Sequence, residues 1–278
     1  MEGMQNTRVM ILNGEKPKLG SSQTKQQNEK MEVYGAMGNK RELLNYLLGN
    51  GDLNTAKVWF VGIEEAEEWT EEYLAKIEGY ENKDYNPVES GQILKQEKER
   101  SEKGEKFTSV YDIMSKIVVG LQGDEWQNNW KEYRNEKLFM KGSEVFQINL
   151  YPLGKKHVED WRKEYEKWFG FTSKKQYYEW ISENKSVRFA QIRKKRKEHG
   201  NPLSICFGKS FWSDFIKCFK LEETLYTGYQ DTFIFYKEEK VILVPFFWYG
   251  GKSGMTPERT AKFIEYINKL KLNPFTKM

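Results

Sequence analysis

Apolar and polar positions along the chain alternate between two periods, and their order predicts the architecture. Val58, Trp59, Phe60 and Val61 form an unbroken apolar run, the pattern of a strand buried on both faces of a parallel sheet. Gly62 ends it, and Glu64 and Glu65 follow at the turn. Further strands are predicted at 144–151 (EVFQINLY) and at Leu203 to Phe207. A hairpin is predicted from Thr232 to Tyr236 and Lys240 to Phe247. Helical spacing appears at Leu43, Leu44, Leu47 and Leu48, stopping at Gly49-Asn50-Gly51. It returns at Val110, Ile113, Met114, Ile117, Val118 and Leu121, and at Phe263, Ile264, Ile267 and Leu270 behind a Thr256-Pro257-Glu258 cap.

Alternating strands and helices predict an α/β fold, a three-layer sandwich with a central, mostly parallel four-stranded sheet flanked by helices. Residues 1–35 read as a polar, mobile N-terminal arm, and 36–278 as one domain with insertions near 79–106 and 155–200. The Glu-rich stretch from 64 to 72 is expected to open a helix. The 79–106 segment, charged and Gly-containing, is expected to be an insertion loop.

Composition bounds the function. A 38% hydrophobic and 15% aromatic content supplies a core. No segment has the length or apolarity of a membrane span, and the N-terminus has no apolar leader, so a cytoplasmic protein is expected. Cys206 and Cys218 lack metal-ligand spacing and cannot form a four-cysteine iron–sulfur site. Neither a metal nor another cofactor is expected, and a monomer is. Net charge is only +4, but Arg188, Arg193, Lys194, Lys195, Arg196, Lys197 and His199 crowd one segment, with Lys155, Lys156, Lys174 and Lys175 upstream. Such a run can track phosphates; a solvated helix face explains it equally well.

Chemistry is expected where buried strands end, because that is where open α/β sheets place ligands. Glu64, delivered there by a strand, is the leading catalytic carboxylate, with Glu65 second. Four strand-end motifs occur in order: GIEEA at 62–66, INLYPLG at 148–154, CFGKS at 206–210 and VPFFWYGG at 244–251. Together with the KFTSVYDIM helix start they resemble the uracil-DNA glycosylase superfamily over residues 57–271.

The resemblance implies a monofunctional DNA glycosylase that flips a pyrimidine out of the duplex and hydrolyses its N-glycosidic bond. By position, Glu64 would orient water or stabilise the cationic sugar. Asn149 would pair with the edge of the base, and Phe107 would stack on it. Phe246 stands where the superfamily offers a His, so stabilisation of the leaving base would fall to backbone N–H groups after Gly62, to Trp248, Tyr249 or Lys252. Ala66 takes the place of a Tyr that blocks pyrimidine C5, which implies a C5-modified base, such as a hypermodified cytosine of phage DNA. Trp69, Trp248 and Tyr249 would pack on it. Lys155, Lys156, Arg193, Lys194, Arg196, Lys252 and Ser253 would hold DNA, in repair or antiviral defence.

Two rival readings stand beside this one. The first is a catalytically silent DNA-binding module of the same fold. The second is a metal-dependent nuclease built on the Glu64–Glu72 cluster, against which adjacent glutamates on a helix would splay apart. Gly208-Lys209-Ser210 resembles a phosphate loop, but Leu203 occupies the place of its first Gly.

Overall fold

Each central strand sends alternate side chains to opposite sides of the sheet, and helices cover both. The computed structural model describes residues 40–65, 68–80, 83–88, 91–102, 110–123, 125–155, 161–222, 226–228, 232–247 and 254–276. Strands β1 (Gly49–Gly51), β2 (Val58–Gly62), β3 (Tyr85–Asn86), β4 (Val145–Asn149), β5 (Leu203–Phe207), β6 (Tyr226–Gly228), β7 (Phe233–Tyr236) and β8 (Val241–Val244) form one eight-stranded mixed sheet. Its order is β3-β1-β4-β2-β5-β8-β7-β6. The central four, β4-β2-β5-β8, run parallel. The expected four parallel strands are thus the middle of a wider sheet, extended by antiparallel pairing of β1 with β4 and of β7 with β8.

One face holds Trp59, Val61, Phe146, Ile148, Cys206, Val241 and Leu243. Helices α1 (Glu71–Glu78), α5 (Glu164–Phe169), α6 (Lys174–Glu198) and α7 (Trp212–Phe219) cover it. The other holds Val58, Phe60, Val145, Leu203, Ile205, Phe207, Ile242 and Val244, under α2 (Gln92–Glu102), α3 (Val110–Leu121), α4 (Trp126–Glu136) and α8 (Pro257–Lys269). Burial on both faces is what the unbroken apolar runs require. Cys206 and Cys218 are free and buried as packing residues.

Two local expectations are corrected and a third is narrowed. Leu43 to Leu48 do not form a regular helix: residues 40–42 are helical and pass into a 3-10 turn at Leu43–Asn45, and Gly49–Gly51 joins the sheet as β1. The 79–106 segment carries the short strand β3 and the 11-residue helix α2. Arg134, buried on α4, fastens α2 and α3 through Glu97 and Asp112. The Glu-rich stretch opens a helix only at its end: Thr70 caps α1, its side chain accepting from the Tyr73 N–H at 3.1 Å. Only Glu71 and Glu72 therefore lie in a helical first turn.

Candidate active site

The loops leaving β2 and β4 continue their strands' parallel course side by side. Gly62 is level with Asn149 in the ladder. Beyond it, Leu150 N–H donates to Gly62 O at 3.0 Å, Tyr151 N–H to Ile63 O at 2.8 Å and Lys155 N–H to Glu65 O at 3.0 Å. These bonds hold Glu64 and Lys155 on adjoining backbones. Glycine at 62 lets the strand ends approach closely: a Cβ there would lie 2.3 Å from Asn149 Oδ1 and 2.9 Å from the Phe207 ring, so those side chains would have to move. Gly208, at φ +127°, packs its Cα against Ile63 at the end of β5. The ends of β2, β4 and β5 are therefore one packed surface.

Glu64 is the centre of a buried polar cluster. Its Oε2 lies 2.9 Å from Lys155 Nζ, and its Oε1 accepts from the Tyr178 hydroxyl at 3.4 Å. Lys155 Nζ also donates to the Tyr178 hydroxyl and lies 4.2 Å from the centre of that ring. The Lys155 side chain is 2% exposed and that of Glu64 14%. Burial raises the Glu64 carboxyl above its ordinary range, while Lys155 and Tyr178 oppose the shift. Next to the cluster, Tyr151 donates to Asp214 at 2.8 Å, and Lys185 stands 3.4 Å from the same carboxylate. Burial and the Asp214 hydrogen bond push the Tyr151 hydroxyl far up.

Glu65 turns the other way. Burial pushes its carboxyl up to about 7, against the pull of Trp69, Tyr73 and the more distant Arg188. The Trp69 indole N–H has no partner at hydrogen-bond geometry, so its effect on Glu65 is that of a nearby dipole. Two adjacent carboxyls thus occupy different surroundings: one has an ammonium partner, the other a neutral aromatic wall. Glu68 is pulled aside, 3.9 Å from Arg162, and Glu71 lies 3.1 Å from Lys167. Among the described residues no group of three or more His, Cys, Asp or Glu is placed to hold a metal ion.

The remaining sequence-derived site residues divide into three groups. Asn149 is half-buried beside Gly62, and Phe246 is 46% exposed, tilted against Phe207 at 5.9 Å. Ala66, Phe107, Lys156, Trp248, Tyr249, Lys252 and Ser253 lie outside the described residues.

The basic run of α6 is the third group, and its expected role is corrected. Arg196 is 7% exposed and donates to Pro202 O, Ser204 Oγ and Glu239 O. Arg193 donates to Cys218 O. Both guanidinium groups are used by the fold. Lys194 is exposed and 3.9 Å from Glu198. These residues also mark the wrong end of the sheet, since Arg196 abuts the starts of β5 and β8. Tyr178, eighteen residues earlier on α6, meets Glu64 at the strands' carboxyl ends, roughly 27 Å away at the helical rise.

The sequence reading missed Tyr178, Tyr151, Asp214 and Lys185. Tyr151 lies within the INLYPLG motif, but the others come from helices whose approach to the strand ends is a tertiary fact. It also missed the use of Arg188, a buried guanidinium that donates to the carbonyls of Leu150, Asn149, Leu44, Tyr46 and Leu47. Arg188 thereby ties the end of β4 to the segment before β1.

Fold and site together define an α/β protein with a carboxylate–lysine–tyrosine cluster at the carboxyl end of a parallel sheet core. No family model, curated protein or solved structure matches the chain. No helix among the described residues is long and apolar enough to cross a membrane.

Proposed function

We propose that this chain is a DNA N-glycosylase that takes a pyrimidine nucleotide out of the helix and hydrolyses its N-glycosidic bond. Glu64 is the catalytic carboxylate in this reading. The observation that supports it is the placement of Glu64 two residues past the end of β2, whose last residue Gly62 is level with Asn149, and its hold by Lys155 and Tyr178. A fixed anion beside an oxocarbenium-like sugar lowers the barrier most when water is excluded, and the cluster is largely buried. The half-buried Asn149 amide supplies one acceptor and two donors for a base edge. Phe246 offers an exposed ring at the same end of the sheet.

The preferred substrate in this reading is a pyrimidine substituted at C5, the choice that a methyl side chain at position 66 suggests. DNA phosphates would be met at the carboxyl end of the sheet, where Lys209 and Ser210 are exposed after β5 and Lys175 is exposed in the first turn of α6. The basic end of α6 has no part in this interface.

The test is incubation with duplex and single-stranded DNAs carrying uracil, thymine mismatches or 5-modified cytosines, in EDTA. Free base with alkali-labile strands is the expected result. Bound but intact DNA would make the chain a silent binding module, and activity restored only by Mg²⁺ would make it a nuclease.

A further inference from the structure

Lys155 asks for an explanation beyond charge balance. An ammonium has three N–H donors. Two are used, on Glu64 Oε2 and on the Tyr178 hydroxyl, and no further acceptor meets the third among the described residues. The amine is nearly closed off from solvent, its backbone is pinned to Glu65 O, and its Nζ lies 5.5 and 4.2 Å from the centres of the Tyr177 and Tyr178 rings. The amine stands beside a carboxylate positioned to take its proton, and an amine freed of its proton is a nucleophile toward carbonyl carbon. The product of base excision presents such a carbon: the ring-opened sugar of an abasic site is an aldehyde at C1′.

We propose that Lys155 is the nucleophile of a second activity, cleavage of the DNA strand at abasic sites through a Schiff base. The activity departs from the monofunctional reaction that the sequence resemblance implies. It rests on the DNA-glycosylase reading only for the identity of the substrate as DNA.

The step balances without a metal or redox partner. Lys155 passes a proton to Glu64, and the freed Nζ adds to C1′, the carbonyl electron pair moving to oxygen. A proton transfers from nitrogen to that oxygen, and Glu64 returns its own proton as the oxygen leaves as water, giving a protonated imine. The Glu64 carboxylate then takes a proton from C2′, now acidified by the imine. Electrons from that bond reach C3′ as the C3′–O bond breaks, and the 3′ phosphate departs with the electron pair. Water hydrolyses the imine and restores the amine.

The test uses the full chain and a DNA duplex whose single abasic site is made by mild acid depurination, so that no base release is needed. Sodium borohydride reduces the imine to a stable amine and fixes protein to DNA. The expected results are a covalent adduct, strand cleavage in EDTA, and mass-spectrometric mapping of the adduct to Lys155. Lys155→Gln, checked for melting and DNA affinity, should lose both adduct and cleavage to the level of a protein-free control. Absence of an adduct with the wild-type chain, or an adduct mapped to another amine, overturns the proposal. Base release is scored separately on base-containing DNA. An adduct without base release leaves Lys155 as the nucleophile and removes the glycosylase; base release without an adduct does the reverse.

Discussion

Replacing Glu64 by Gln keeps a hydrogen-bond acceptor for Lys155 and Tyr178 but removes the charge that the proposed chemistry uses. Base release should fall by about a hundredfold to a thousandfold, the range for loss of one electrostatic stabiliser in a buried site. DNA affinity should change little, because the interaction matters in the transition state. Single-turnover rates on the best substrate of the panel check this, with melting measured beside them.

Glu65 makes a separate prediction about pH. Its carboxyl is raised from 4.5 to about 7 by burial in the folded chain. Between those values the folded chain holds a proton that the unfolded chain has lost. Stability is therefore fully present below about pH 4.5 and declines as pH rises through 7. Glu65→Gln should remove that decline and leave the variant more stable than the wild type at pH 8. Urea midpoints at pH 5 and pH 8 check it. A wild-type midpoint that does not fall over this interval would contradict the burial of a protonated Glu65.

At the scale of elements, the loops after β2 and β4 depend on Arg188 as much as on their own hydrogen bonds. Its guanidinium serves carbonyls at the end of β4 and in the segment before β1, and no side chain of similar length offers five donors in that fork. Arg188→Lys should cost about 3 kcal/mol, since charged hydrogen bonds are lost and buried carbonyls are left without donors. Equilibrium urea unfolding measures this; a loss within a few tenths of that of an exposed lysine variant would show that the carbonyls find other partners.

The elements themselves were unequally legible. β2 was readable because burial on both faces leaves an unbroken apolar run, and β4, β5 and the β7–β8 hairpin because short, mostly apolar segments are bounded by turn residues. β1 was not, because Gly49-Asn50-Gly51 carries a helix-stop pattern and joins the sheet only through partners distant in sequence. In α6 the positive residues have the composition of a phosphate track, yet its three arginines, Arg188, Arg193 and Arg196, face inward to carbonyls, a choice set by what α6 packs against. The position of Glu64 followed from the end of its strand, but its lysine and tyrosine partners did not: Lys155 reads as one more basic residue until the β4 loop is laid beside the β2 loop.

For the whole molecule, the two ends of the sheet should behave differently toward DNA. Lys209 and Lys175 lie at the carboxyl end with Glu64, whereas Lys194 lies at the far end of α6. Binding measured against salt should give a shallower slope for Lys209→Ala with Lys175→Ala, since fewer phosphates are neutralised. Lys194→Ala should leave the slope unchanged. The reverse pattern would place the nucleic acid at the amino ends of the strands and away from the cluster.

In the proposed function, Glu64 drives base excision at this strand end. The most direct measurement is free base released in EDTA from DNA carrying 5-modified cytosine or uracil, by the wild-type chain and by Glu64→Gln at equal concentration and equal DNA occupancy. Free base and alkali-labile strands are expected from the wild type, with the variant slower by about a hundredfold or more. Release at the same rate from both proteins, or intact DNA from a wild type that binds it, would rule out base excision driven by Glu64.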